Sequence, residues 1–381
     1  MPEIWLRYGK VEIAIEIRRE RLAQVIEDPL PDQIVDVINK ELQELKEMDE
    51  IHVLAGDYEL STVKFIRHLI QFVSPSKVNI YSNEQILRQY KREVKETQCT
   101  FTKIDEEKHS IGIVDGVVLK SPTIFSRKDL YFISSVGLDP LFGFSGGPTA
   151  LIKFLGDNLK FEALKRETEL KPNPANDTAA SWFAGRVAEE LKEVKAIEVL
   201  PGRDDFSKVF TGNVLEAHKS ATQELLKYSA KKVGLKIPLA VVTPGEESKC
   251  STFDQSLNSL WNILPALEEG ASVIVLTESS GGLGSEAITQ YIYRGFEVKE
   301  SIKRNQYIEG IENLYYLLNY GAQFDLGFLT TLPKSFIEKR LGYKSYTTGN
   351  DAVNYLIEKD QEKRKKITVL ARGDKTLLIH S

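Results

Sequence analysis

The feature that most constrains this chain is a repeated alternation of short apolar runs with helical patterns. The runs "IHVLA" (Ile51 to Ala55), "VNIYS" (Val78 to Ser82) and "LYFISSVG" (Leu130 to Gly137) are separated by segments such as "TVKFIRHLIQFV" (Thr62 to Val73). Such runs read as strands buried on both faces, and strands joined by helices make a parallel sheet. From Lys236 the pattern restarts with "IPLAVVTPG", a helix from about Asp254, "ASVIVLTESSGGLG", a helix from about Ser285, "AQFDLGFLT" and "KITVLARGD". The front is different: "IWLRYG" and "VEIAIEI" alternate on either side of Lys10, the pattern of a hairpin on an edge. The expected class is α/β, with two open α/β domains of mostly parallel sheets facing a crevice and an N-terminal β-hairpin.

A length of 381 residues suits two domains, each able to bury a full core. A long amphipathic helix is expected from Gly212 to Gly234, which sets the domains at 1–234 and 235–381, the last strand being able to return to the first domain. No apolar stretch approaches the roughly 20 residues of a transmembrane helix, and the start lacks a signal-peptide pattern, so no membrane partner and a cytoplasmic location are expected. Net charge is −5 with basic residues scattered among acidic ones, which excludes a basic nucleic-acid footprint. Cys99 and Cys250 are too few for a disulfide scaffold or a zinc cluster, and no two of the five histidines have metal-ligand spacing.

In α/β sheets ligands sit outside the carboxyl ends of the strands. Three loops hold that position: "AGDYELST" (Ala55 to Thr62), "GFSGGPT" (Gly143 to Thr149) and "TESSGGLGSE" (Thr277 to Glu286). A Ser-Gly-Gly turn feeding a helix brings backbone N–H groups close to an anion, so Ser145, Gly146, Gly147 and Thr149, with Gly281, Gly282 and Gly284, are candidate cofactor-binding positions. The same turn is also an ordinary helix start, with Ser145 as N-cap and Pro148 in the first turn. Neither loop spells a Walker or dinucleotide fingerprint. Asp57, Glu59 and Asp139 are candidate acid/base groups, and His218 on the long helix is a candidate for lining the crevice. Asp139 before Pro140 is equally an ordinary turn start.

In order and spacing these motifs resemble the nickel-pincer lactate racemase family over nearly the whole chain. "GFSGGPTALIKFLG" resembles that family's Gly-(aromatic)-Ser-Gly-Gly segment, "FTGNVLEAHKSA" its Ala-His-Arg helix start, and "STFDQSLNSLWNILPALEEGASVIVLTESSGGLGSE" its Leu-Asp-Gln stretch with a following Gly-Leu-Gly turn. The resemblance implies racemisation or epimerisation of 2-hydroxy acids by hydride transfer to a nicotinic-acid-derived nickel cofactor tethered to a lysine. Carried over by residue, the tethering lysine falls on Thr149, a histidine on Asp139, the first-loop arginine near Leu60, and the Gln and Lys after the Leu-Asp-Gln stretch on Ser259 and Asn262, which become candidate substrate-binding positions with His218. No histidine occurs between His109 and His218, so the nickel ligand has no counterpart.

The expectation is therefore a lactate-racemase-like protein that binds a small anionic molecule, a hydroxy acid or nucleotide, in the crevice without being a nickel-pincer racemase itself. Two alternatives stand beside it: a non-enzymatic ligand-sensing or partner-binding relative, and an active 2-hydroxy acid racemase or epimerase. If the chain is an enzyme, the resemblance implies a racemase-like isomerase of divergent chemistry. The cofactor stays open, as does homo-oligomer formation, and no metal is assigned.

Overall fold

In the computed structural model, residues 3–32, 40–73, 78–94, 99–105, 107–360 and 364–380 are described. Contacts divide the chain into two units. Unit 1 comprises Met1–Pro29, Thr168–Ala175 and Ser229–Ser381, and unit 2 comprises Leu30–Glu167 and Asn176–Tyr228. The chain begins in unit 1 with the expected hairpin, β1 (Glu3–Tyr8) against β2 (Val11–Glu16), turning through Gly9 and Lys10. It then runs into β3 (Leu22–Ile26), a strand that the sequence pattern does not announce because its residues are mostly exposed.

Unit 2 carries a six-stranded sheet built from β4 (Ile51–Ala55), β5 (Val78–Ser82), β6 (Thr100–Lys103), β9 (Leu130–Ser135), β12 (Lys195–Pro201) and β13 (Phe206–Asn213), in the order β13-β12-β9-β4-β5-β6. Every pairing is parallel except β12 with β13. Two small ribbons stand outside the sheet. One is β7 (Lys108–Val114) with β8 (Val117–Pro122), and the other is β10 (Gly137–Asp139) with β11 (Gly143–Ser145). The strands are linked by α1 (Lys40–Glu44), α2 (Leu60–Phe72), α3 (Glu84–Glu93), α4 (Gly147–Leu155), α5 (Asp157–Lys165), α6 (Ala179–Glu190) and α7 (Val214–Ser229). Residues of β4, β5, β9 and β12 join the apolar faces of α2 and α3 in one buried cluster that includes Phe65, Tyr90 and Phe206. The central strands β4 and β9 are buried along their whole length, as strands of a helix-covered parallel sheet are.

The long helix expected to reach Gly234 stops at Ser229. The next residues form β14 (Ala230–Val233), which pairs in parallel with β20 (Leu377–His380) and so finds main-chain partners outside a helix. In unit 1 the main sheet adds β15 (Ile237–Val242), β16 (Leu267–Leu276), β17 (Asp325–Leu329), β18 (Lys344–Tyr346) and β19 (Ile367–Leu370), in the order β18-β17-β16-β15-β19-β3 and parallel throughout. Helices α8 (Glu247–Cys250), α9 (Phe253–Trp261), α10 (Glu286–Arg294), α11 (Val298–Lys303), α12 (Ile311–Asn319) and α13 (Gly349–Lys359) connect them. Leu6, Ile15 and Ile17 from the hairpin segment share a buried cluster with Val241, Ile274, Leu356 and Val369. Among the described residues no helix is long and apolar enough to cross a membrane. The architecture is thus the expected α/β one with an N-terminal hairpin.

Candidate functional site

The carboxyl edge of the unit 2 sheet gathers most of the predicted polar residues. Asp57 follows β4, and its Oδ1 accepts hydrogen bonds from Thr62 Oγ1 at 2.7 Å and from the Glu59 N–H at 3.1 Å, while Oδ2 accepts from the Ser135 N–H at 2.7 Å. Ser61 and Ser135 join their hydroxyls at 2.8 Å, and Tyr90 donates to the Asp57 carbonyl. Enclosure of the carboxyl group pushes the Asp57 pKa up to about 6, with the charge of Glu59 adding to the effect and the three hydrogen bonds opposing it. Asp57 thereby ties the β4–α2 loop to the end of β9.

The Gly143–Thr149 turn is flanked by local side-chain contacts. Asp139 Oδ1 accepts from the N–H groups of Leu141 and Phe142, each at 2.9 Å, and Oδ2 pairs with Lys153 Nζ at 2.7 Å. Thr149, at the position implied for the tether, is buried and donates its hydroxyl to the Phe144 carbonyl at 2.8 Å. Helix α4 is capped by the backbone of Gly146 with φ of 92°, and Pro148 falls in its first turn; Ser145 is not the N-cap. Gly137 stands opposite Ser145 in the β10–β11 ribbon.

The centre of this turn is Glu198, which was not among the sequence candidates. Glu198 lies on β12 directly beside Ser134 of β9 and has no exposed surface. Its Oε1 accepts from Ser134 Oγ at 2.7 Å and from the Gly147 N–H at 2.8 Å, and its Oε2 lies 3.2 Å from His218 Nδ1. The Gly147 N–H also reaches Ser134 Oγ at 3.0 Å. A Cβ on Gly146 would lie 2.5 Å from Glu198 Oε2, and one on Gly147 would lie 2.8 Å from His218 Cβ and Cγ. The paired glycines therefore admit a carboxylate and an imidazole of the protein itself. His218, on α7, keeps 17% of its side chain exposed and meets Phe144 edge to face. The signal that could have found Glu198 is a lone carboxylate inside the apolar run "AIEVL".

The other predicted residues fall in unit 1. In the second glycine loop the Gly281 N–H donates to the Ser251 carbonyl, the Gly282 N–H to Ser279, and the Gly282 and Leu283 carbonyls accept from Phe253 and Asp254 at the start of α9. A Cβ on Gly284 would lie 2.5 Å from Thr252, so this loop is fitted to a helix end. Ser259 is fully buried and donates back to the Ser256 carbonyl. Asn262 donates to the carbonyls of Gly373 and Asp374, bracing the segment after β19. Asp254 is pushed up to about 7 by burial and then by Glu312, against hydrogen bonds from Asn313 and Ser285.

A second charged group was also missed. Arg372, in the loop after β19, pairs through its three nitrogens with Asp28 at 2.8 Å, Glu246 at 3.1 Å and Asp374 at 3.2 Å, and Lys375 approaches Asp374 at 3.5 Å. Burial alone would raise the Glu246 pKa, but Lys375, Lys249, Ser248 and Arg372 together bring it down to about 2. Asp374, more deeply enclosed, is shifted up by burial despite the same cations. Two surface cavities, of about 270 Å³ beside Asp325 and about 220 Å³ beside His109, contain none of the candidate site residues.

No family model matches the chain, and no curated protein matches it. Among solved structures, the lactate racemase apoprotein from Thermoanaerobacterium thermosaccharolyticum superposes with a TM-score of 0.80 at 16% identity, covering 99% of this chain and 100% of that one. A crystal structure of a Thermotoga maritima protein matches with a TM-score of 0.61 at 12% identity, over 90% of this chain and 97% of the other. The fold of this chain is that of lactate racemase.

Proposed function

We propose that this chain binds a small anionic molecule at the carboxyl edge of the unit 2 sheet, with 2-hydroxy acids as the ligand class, and that His218 is the side chain that meets it. The observation carrying this reading is the seat of His218: its Nδ1 rests on fully buried Glu198 beside the glycine turn, while 17% of the side chain stays exposed. An imidazole so held can accept a hydrogen bond from a hydroxyl or, with a second proton, donate one to a carboxylate. The likeness in fold to a protein that racemises lactate supports hydroxy acids over other anions.

A nickel-pincer cofactor does not fit the residues present. Thr149 offers a buried hydroxyl, already donated to Phe144, where the resemblance puts the tethering lysine. The Gly147 N–H faces a carboxylate of the protein where a phosphate would need that donor. The Asp139 carboxylate is held by Lys153 and two N–H groups, which favours a binding protein over one using Asp139 for proton transfer.

Calorimetric titration with D-lactate, L-lactate and glycolate tests the reading. Saturable binding of at least one acid is expected, weakened about tenfold or more in His218→Ala. Equal affinity in the variant, or no binding of any acid by the wild type, would overturn it.

A further inference from the structure

We infer that Glu198 is a positioning residue that holds His218 as the Nδ1–H tautomer, leaving Nε2 as an unprotonated acceptor for a ligand hydroxyl. The inference deepens the proposed function and rests on it for the identity of the ligand, though not for the tautomer. Glu198 Oε1 already receives the Ser134 hydroxyl and the Gly147 N–H, and Oε2 faces Nδ1 at 3.2 Å. An ionised carboxylate only accepts, so the hydrogen in the third contact belongs to the imidazole. Gly147, the first residue of α4, brings the positive end of the helix to the same carboxylate.

The remaining ring nitrogen has no partner among the described residues. Fixing one nitrogen of a histidine by a carboxylate determines what the other can do, as in metal sites and hydrolytic triads. In the uncharged form of a ring held this way, the lone pair on Nε2 recognises a donor. A 2-hydroxy acid supplies one beside its carboxylate, and the corresponding 2-oxo acid does not. The structure thus assigns to this position a preference for the hydroxy over the oxo form of a small acid. A site built to hydrogen-bond a hydroxyl rejects the analogue lacking it because a polar group is left unpaired.

The tautomer is read directly from long-range ¹H–¹⁵N correlation spectra of histidine-labelled protein without ligand, at a pH where the ring is neutral, with the His218 signals assigned by their loss in His218→Ala. The wild type is expected to show Nδ1–H with a bare Nε2, and Glu198→Gln to shift His218 toward Nε2–H. An Nε2–H signature in the wild type overturns the inference even if no variant folds. An unchanged tautomer in folded Glu198→Gln overturns the positioning role. In the calorimetric series, lactate should bind about tenfold or more tightly than pyruvate, and equal affinities would overturn the hydroxyl preference. If no acid binds while the tautomer is Nδ1–H, the proposed function fails and the positioning role stands.

Discussion

Replacing Arg372 with alanine is expected to destabilise unit 1 by about 3–5 kcal/mol, the usual cost of removing one partner from a buried ion pair. Asp28, Glu246 and Asp374 all converge on this guanidinium, and none of their side chains is more than 16% exposed. Deleting the cation leaves Lys375 and Lys249 to compensate three carboxylates. Urea unfolding followed by the fluorescence of Trp261, fully buried on α9 in the same unit, reports the loss. Arg372→Lys should fall between, because a point charge cannot make three directed contacts.

The pH dependence has a definite sign. Glu246 titrates lower in the fold than its ordinary value, so its contribution is fully present above that ordinary value and is lost as pH falls toward about 2. In the alanine variant part of that contribution is absent from the start. The deficit relative to wild type should therefore be widest near neutrality and shrink on acidification. A deficit below about 1 kcal/mol, the range of a surface pair, or one that does not change with pH, would contradict this view of the cluster.

The second large effect is expected at Gly147. Its φ of 39° and the 2.8 Å separation from His218 mean that an alanine meets both an unfavourable backbone and a packed ring. The backbone accounts for about 1–2 kcal/mol, and forcing atoms into a filled space for a further 1–3 kcal/mol or so. Gly116 is the control, since it has φ of +80° with nothing within 4 Å of an added Cβ. Chemical denaturation of Gly147→Ala and Gly116→Ala separates the two terms. If both variants lose the same stability, the glycine is kept for its backbone alone and the fit to His218 has no weight.

Much of this fold is legible in the sequence because its central strands, β4 and β9, are buried on both faces and so are written as largely apolar runs. Ile51–Ala55, Val78–Ser82 and Leu130–Ser135 are strands as expected, and the hairpin before Lys10 and after it has the expected pairing. β3 escaped because an edge strand with exposed residues, "LAQVI", carries no such run. The end of the long helix at Ser229 depends on a pairing with Leu377–His380, far away in the chain. The site is less legible for the same reason. Asp139 and Thr149 find partners within fourteen residues, so their local roles could be guessed. Glu198 meets Gly147 and His218 from different elements, and Arg372 meets Asp28 across 344 positions. In sequence the glycine turn has the pattern of an anion seat, and in the fold the carboxylate of Glu198 stands on its Gly147 N–H.

This chain has the lactate racemase fold, and its glycine turn is organised around Glu198 and His218. Intact mass and nickel content of the protein, produced together with the enzymes that synthesise the pincer cofactor, test whether that turn can do without a tethered group. The unmodified polypeptide mass with no stoichiometric nickel is expected. A covalent adduct accompanied by one nickel per chain would contradict it.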